Sequence, residues 1–179
     1  MQPNPTTTRI QDGAIALEAT LSMSEGDVVQ VRYRLRNGGP DALAVFDRGD
    51  RHAVLAGRQV PGAIGAPTVE ELDDGAVVLR HVARPLPAGP TGPTSPPTPL
   101  ALRLAAGATL EGDFRFAVPA SVSPARLRWC LGVAPFDPER FAAPEQTAAG
   151  EVWQVLDIGG QRELCTPWFD RGQGRFVDR

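Results

Sequence analysis

The chain has 179 residues, a formal net charge of −3 and a hydrophobic fraction of 42%. This composition can build a folded core and excludes a disordered chain, and the small net charge argues against a nucleic-acid partner. Apart from two histidines, every basic side chain is arginine, which excludes Schiff-base chemistry on lysine and a Walker-type phosphate loop.

The first part of the chain predicts short strands that each have one apolar face. Residues 1–9 lack this pattern and are interpreted as a flexible leader. Apolar and polar side chains alternate over residues 15–21 and again over residues 29–36, which is the period of a half-buried strand. Residues 37–41 (NGGPD) predict a tight turn. The apolar residues 42–46 predict a next strand, joined by that turn and nearer the middle of a sheet.

The next stretch is irregular and is followed by a hairpin. A short strand is predicted at His52–Leu55 within an otherwise irregular segment. Residues 68–72 and 76–83 flank Asp73-Asp74-Gly75, and an Asp-Gly pair between two apolar runs is a strong hairpin signal. The second of these runs is apolar on both faces, which predicts an interior strand.

A proline-rich segment follows at residues 84–99, with seven prolines. Proline removes a backbone donor and fixes φ, so this segment cannot be a helix or a central strand and is predicted to be an extended, polyproline-like loop. The spacing of Pro87 and Pro90 fits recognition by an aromatic groove. The other interpretation is a plain connection between strands.

The last third returns to strands. Residues 100–104, 109–118 and 126–134 alternate, and in the third of these Leu127 and Trp129 lie on the predicted core face with Arg128 and Cys130 on the other. Residues 151–158 and 161–166 predict a final hairpin around Gly159-Gly160. The polar tail is expected to fray unless Trp168 and Phe169 dock.

About nine short strands, regular turn signals and almost no helical periodicity predict an all-β protein, an antiparallel β-sandwich. The predicted organisation is one domain. Residues 10–135 form the sandwich core, and residues 136–179 add a loop, a C-terminal hairpin extension and a tail packed on the same domain.

Two segments carry a family resemblance: RNGGPDALAVFD at residues 36–47 and LAAGATLEGDFRFAVP at residues 104–119. The order of signals that includes them resembles bacterial immunoglobulin-like β-sandwich modules, among them the intracellular proteinase inhibitor family. The resemblance covers roughly 110 residues, and motifs of this kind are loose. It implies an immunoglobulin-like sandwich and a non-catalytic binding role, and it assigns no site residues.

Cys130 and Cys165 are the two cysteines, and they are the candidates for a disulfide. The bond is expected if the protein is exported, and two free thiols are expected if it is cytoplasmic. No apolar run reaches the roughly 18 residues of a membrane span, and the first residues lack the apolar core of a signal peptide. The sequence as written fits a cytoplasmic protein, and a periplasmic or exported one if a signal sequence was removed.

No catalytic residue, metal ligand set or cofactor is predicted. Cys130 and His81 could be two members of a nucleophilic triad, but Cys130 lies in the middle of a strand, where a buried structural role is more common. No GxSxG, HExxH or CxxC motif is present. Four aspartates in loops could offer oxygen ligands to Ca²⁺; they are Asp47, Asp50, Asp73 and Asp74.

Arginines mark the predicted binding surface. Arg32, Arg34 and Arg36 share one strand face and could join Arg126 and Arg128 if their strands are neighbours, which would form a patch for an acidic partner. The other interpretation is a solvated face whose arginines pair across strands with acidic residues; these are Glu18, Glu111 and Asp113. The Arg48-Gly49-Asp50 tripeptide is interpreted as a solvated loop.

The function predicted from these features is a non-enzymatic binding or accessory module of a GC-rich bacterium, with another protein as its partner. One alternative is a proteinase-inhibitor-like protein that presents residues 84–99. A second alternative is a carbohydrate- or cell-surface-binding module that uses Trp153, a side chain predicted to be exposed, as its platform.

Overall fold

A computed structural model describes residues 6–84 and 98–178 and places fourteen strands in two sheets. In chain order the strands are β1 (Thr7–Asp12), β2 (Ile15–Ser24), β3 (Val28–Asn37), β4 (Leu43–Val45), β5 (Thr68–Glu71), β6 (Val77–His81), β7 (Leu100–Leu104), β8 (Thr109–Ala117), β9 (Arg126–Pro135), β10 (Phe141–Thr147), β11 (Gly150–Val155), β12 (Arg162–Cys165), β13 (Trp168–Asp170) and β14 (Arg175–Val177). The helical elements described are α1 (Arg51–Leu55) and a 3₁₀ turn at Pro138–Arg140. The all-β prediction is confirmed.

The smaller sheet is antiparallel and has the order β1-β2-β3-β8. Its strands follow the period of two seen in the sequence, so one face is apolar and the other polar. Leu17 on β2 and Val31 and Leu35 on β3 are fully buried on the inner face.

The larger sheet has ten strands and is built around β9. Its main path is β10-β11-β7-β4-β9-β13-β14, with β12 and β6 also paired to β9 and β5 paired to β6. The pairing of β6 with β9 is parallel, so the prediction of a purely antiparallel sandwich is wrong at this point. Parallel neighbours need a long crossover, which β7 and β8 provide.

The core lies between the two sheets, whose apolar faces pack on each other. Tyr33 of the smaller sheet and Trp129 of the larger sheet meet with ring centroids 4.8 Å apart, and Phe114 lies 5.6 Å from the same indole. Trp129 is completely buried, as predicted for the core face of β9.

Several local predictions are confirmed. β5 and β6 form the hairpin predicted around Asp73-Asp74-Gly75, and Gly75 has the positive φ of 76° that such a turn favours. β4 lies between β7 and β9, inside the larger sheet. Phe169 docks with only 1% of its surface exposed, so the tail continues as the β13–β14 hairpin.

The turn at residues 37–41 is a crossover rather than a hairpin turn, because β3 and β4 belong to different sheets. The buried Asn37 side chain fixes this crossing by donating to the carbonyl oxygens of Asp41, Leu104 and Ala105. These acceptors satisfy an amide that would otherwise be buried without a hydrogen-bond partner.

Other boundaries also differ from the prediction. The segment expected to be a strand at His52–Leu55 is helix α1, which begins where the Asp50 carboxylate accepts the Ala53 amide at 2.8 Å. The hairpin predicted from residues 151–158 and 161–166 is wrong: β11 pairs with β10 and β7, and β12 pairs with β9. Residues 7–9 of the expected leader belong to β1. Pro87 and Pro90 lie outside the described residues.

A disulfide joins Cys130 and Cys165, the two cysteines that the sequence offered as disulfide candidates. The two residues are direct register partners on β9 and β12, so the bond ties neighbouring strands of one sheet. It closes a loop with a sequence separation of 35 residues and therefore fastens the C-terminal strands to the core.

Replacing both cysteines, Cys130→Ala with Cys165→Ala, is expected to lower the free energy of unfolding by about 3–4 kcal/mol, because the open chain regains its loop entropy. Urea unfolding followed by tryptophan fluorescence measures the difference, with the unreduced and reduced wild-type proteins measured in parallel. Equal midpoints for the unreduced wild type and the double variant would contradict the expectation.

Candidate functional site

The outer face of the larger sheet carries an arginine–tryptophan stack. Arg126 on β9 and Asp170 on β13 are register partners in an antiparallel pair. Two residues further along, Trp168 therefore lies beside Arg128. The guanidinium carbons of Arg126 and Arg128 lie 4.8 and 4.7 Å from the centre of the Trp168 ring, which is cation–π distance. A groove opens beside this stack, and we call it the Arg–Trp groove; its lining residues are Arg128, Thr166, Pro167, Trp168, Val177 and Asp178.

The two arginines of the stack differ in their partners. Arg126 forms an ion pair with Asp74, and the Ala76 amide followed by Arg126 lowers the pKa of that carboxyl. Arg128 has no ion pair with any described residue, and its Nε atom is buried without an acceptor in the described part of the chain. The Asp178 carboxylate lines the same groove without reaching ion-pair distance.

Another arginine on this face forms ion pairs with two carboxylates. Arg80 of β6 is held between two carboxylates, with Nε 2.8 Å from Glu70 and a second contact to Glu163. Its charge is therefore balanced within the chain, whereas Arg128 stacks on the indole face and has no ion pair with any described residue.

The predicted patch that would join Arg32, Arg34 and Arg36 with Arg126 and Arg128 is wrong. β3 and β9 lie in different sheets, so their arginines point from opposite outer faces of the sandwich.

On the smaller sheet the charges interleave in the register of the strands. Arg34 stands between Glu18 and Glu111 and forms an ion pair with Glu111 at 3.5 Å. Arg32 stands opposite Asp113. Arg36 faces Ala16 and Thr109 and so has no acidic register partner. Such exposed pairs stabilise a sheet weakly.

Trp153, the predicted glycan platform, is only partly exposed. Its ring packs at 5.1 Å from Phe136, and its Nε1 donates to the Glu151 carboxylate at 2.6 Å. The ring is therefore partly engaged within the protein.

A buried polar network lies between the sheets and was missed by sequence reasoning. The Asp47 carboxylate accepts a hydrogen bond from the Tyr33 hydroxyl and stands 2.9 Å from Arg48 Nε. The Nε contact is an ion pair without a hydrogen bond, and Arg48 Nη2 donates to the other Asp47 oxygen, Oδ2, at 3.3 Å. Arg48 also donates to the Gly62 carbonyl at 2.8 Å. Burial, followed by the Asp47 charge, raises the pKa of Tyr33, so its hydroxyl stays protonated.

His81 belongs to the same region, and its hydrogen bonds fix its tautomer. Trp129 Nε1 donates to His81 Nδ1 at 2.9 Å, so the proton of the neutral ring sits on Nε2, which donates to the Gly65 carbonyl at 2.7 Å. Burial lowers the pKa of His81. A second proton on Nδ1 would face the indole donor.

These groups are engaged in structure and do not form an accessible reaction centre. Cys130 is half of the disulfide, and the two ring nitrogens of His81 are both occupied. The tripeptide at residues 48–50 is not a solvated loop, because Arg48 is only 4% exposed and the Asp50 side chain caps α1. That part of the prediction is wrong, since Asp47 and the Gly62 carbonyl draw Arg48 inward.

Metal-ligating atoms converge at one place in the described ranges 6–84 and 98–178. The two cysteine sulfurs and the Glu163 carboxylate lie within 4.8 Å of one another. While the disulfide is intact neither sulfur is a thiolate, which is the form that binds metals. Of the aspartates considered for Ca²⁺, Asp47 is buried, Asp50 caps α1 and Asp74 pairs with Arg126.

No known family model matches the sequence, and no curated protein or solved structure matches the chain. Among the residues that the structure describes, no helix has both the length and the apolarity needed to cross a membrane.

The neutral His81 makes stability depend on pH. Its pKa is lower in the folded protein than in the unfolded chain, so its contribution is complete above about pH 6.5 and is lost as the pH falls towards the folded pKa. Wild type is therefore expected to lose stability below about pH 6.5 more steeply than His81→Gln, which lacks this titration. Urea midpoints measured at several pH values test it, and parallel profiles of the two proteins would contradict it.

Proposed function

We propose that this protein is a non-enzymatic binding module that takes an acidic segment of another protein into the Arg–Trp groove. The observation that carries the proposal is Arg128, a cation that lines the groove, stacks on Trp168 and has no ion pair with any described residue. A partly buried cation without a carboxylate is costly, and a partner carboxylate bound in the groove would supply the missing counter-charge.

The groove suits a carboxylate for geometric reasons. Stacking on the indole holds the guanidinium plane of Arg128 in one orientation, so little side-chain entropy is lost when a carboxylate binds. Arginine presents its donors as a rigid fork that matches the two oxygens of a carboxylate. Thr166 and Pro167 add a polar and an apolar wall beside the fork. One lining residue is unfavourable for this ligand: the negative charge of Asp178 weakens binding of an anion.

The disulfide supports a place of action for this module. Disulfides persist in oxidising compartments and are rare in the cytosol. The Cys130–Cys165 bond therefore supports an exported or periplasmic protein, and a binding role outside the cytosol.

Fewer structural observations support the two alternative functions. Proteinase inhibition through residues 84–99 stays a proposal from the sequence, since Pro87 and Pro90 lie outside the described residues. The glycan-binding proposal is weakened by the packing of Trp153 on Phe136.

The test is titration of the full chain with a hexaglutamate peptide, with hexaglutamine as the uncharged comparison, followed by tryptophan fluorescence. We expect saturable binding of the acidic peptide alone, weakened by added salt. Arg128→Gln should weaken it at least about tenfold through loss of the charged fork. Asp178→Asn should strengthen it because a like charge is removed.

The matched control is Arg36→Gln, which removes an arginine without an acidic register partner from the opposite outer face. It should bind the acidic peptide as wild type does. Equal affinity of wild type and Arg128→Gln, or no saturable binding of the acidic peptide, would refute the proposal.

A further inference from the structure

β8 is an edge strand with one side of its backbone unpaired. The amide of Val118 donates to the carbonyl of Asp27, and the amide of Asn37 donates to the carbonyl of Ala108. In an antiparallel pair, hydrogen-bonded positions alternate, so the even-numbered residues of β8 bond to β3. The odd-numbered residues point the other way; these are Thr109, Glu111, Asp113, Arg115 and Ala117. In the described part of the chain their amides and carbonyls have no backbone partner.

Two other edges of the fold, β10 and β5, are protected by a proline, a register shift or short length, which β8 lacks. The edge strand β10 contains Pro144 and a register shift at the neighbouring Ala143, whose φ is +48°. β5 has four residues, of which Glu70 and Glu71 are charged. Prolines, bulges, charges and short length are the usual protections of an edge. β8 runs for nine residues in unbroken register with β3 and contains no proline.

The apolar side of β8 is incompletely covered. Phe114 and Phe116 are only partly buried, whereas their register partners Val31 and Val29 on β3 are fully buried. A further strand alongside β8 would cover these rings.

Charge decides which strand fits. Glu111 is already paired with Arg34, but Asp113 and Arg115 form no ion pair with any described residue. We propose that β8 pairs antiparallel with β8 of a second copy, with the twofold axis at Phe114. Asp113 of each copy then faces Arg115 of the other, so two opposite-charge pairs form across the junction.

The neighbouring registers that keep the apolar faces aligned are less favourable. An axis at Gly112 would set Glu111 against Asp113, and an axis at Asp113 or at Arg115 would set two like charges face to face. Like charges directly opposite one another destabilise a strand pair. The register at Phe114 avoids this and gives about eight new backbone hydrogen bonds, joining two four-stranded sheets into one continuous sheet.

The surface is separate from the Arg–Trp groove, which lies on the other sheet. Self-association and binding of an acidic peptide can therefore succeed or fail independently.

Sedimentation of the full chain across the micromolar range tests the proposal. Wild type is expected to be a dimer. Asp113→Arg and Arg115→Asp should each raise the dimer dissociation constant at least about tenfold, because each places like charges across the junction. Mixing the two variants should restore a dimer, since the first variant then presents two arginines at the junction and the second presents two aspartates opposite them.

Arg36→Gln is again the control and should dimerise as wild type does, because Arg36 lies away from the free edge on the neighbouring β3. A monomeric wild type would overturn the proposal. A dimer whose dissociation constant is unchanged by both charge reversals would also overturn it. So would two monomeric variants that fail to associate on mixing.

Discussion

The contact between Asp47 and Arg48 is the constraint on which much of the structure depends. Two charged side chains are buried between sheets, which is unfavourable unless both are well compensated. Tyr33 supplies a donor from the smaller sheet, and the Gly62 carbonyl supplies an acceptor from the segment after α1. The pair therefore joins the smaller sheet to the irregular segment that follows β4, and Gly65 extends this link to His81 on the larger sheet.

Glycine at one position makes room for this arrangement. Gly112 is the register partner of Tyr33, and a Cβ added there would overlap the phenol ring. The ring occupies the space that a side chain on β8 would otherwise take, and this lets the hydroxyl reach Asp47. The sequence shows Gly112 only as a break in an otherwise alternating strand.

Local patterns predicted individual strands well and their partners less well. The alternation in residues 29–36 and 126–134 identified β3, β9 and their buried faces, because the period of two is set by each strand itself. Which strands pair depends on contacts distant in sequence, so the crossover at Asn37 and the parallel β6–β9 pair gave no local signal. The helix α1 has five residues and is too short for a periodic pattern.

Contacts between residues distant in sequence also limited the prediction of the candidate site. The sequence indicated that Arg126 and Arg128 share a face of β9, but the position of Trp168 depends on how β13 pairs with β9. The buried network draws on β3, β6, β9 and the segment after β4, so no short motif could reveal it. Phe46-Asp47-Arg48-Gly49 recurs at residues 169–172, and in both places the phenylalanine is buried.

The position of β9 has a consequence for the order in which the newly made chain can fold. β9 takes neighbours from β4 and β6, made long before it, and from β12 and β13, made after it. During synthesis, one edge of this central strand therefore stays unpaired until residues 162–170 have left the ribosome. Pairings between such distant segments form slowly. A chain still being made would expose this strand, so its sheet is completed only once β12 and β13 have been made.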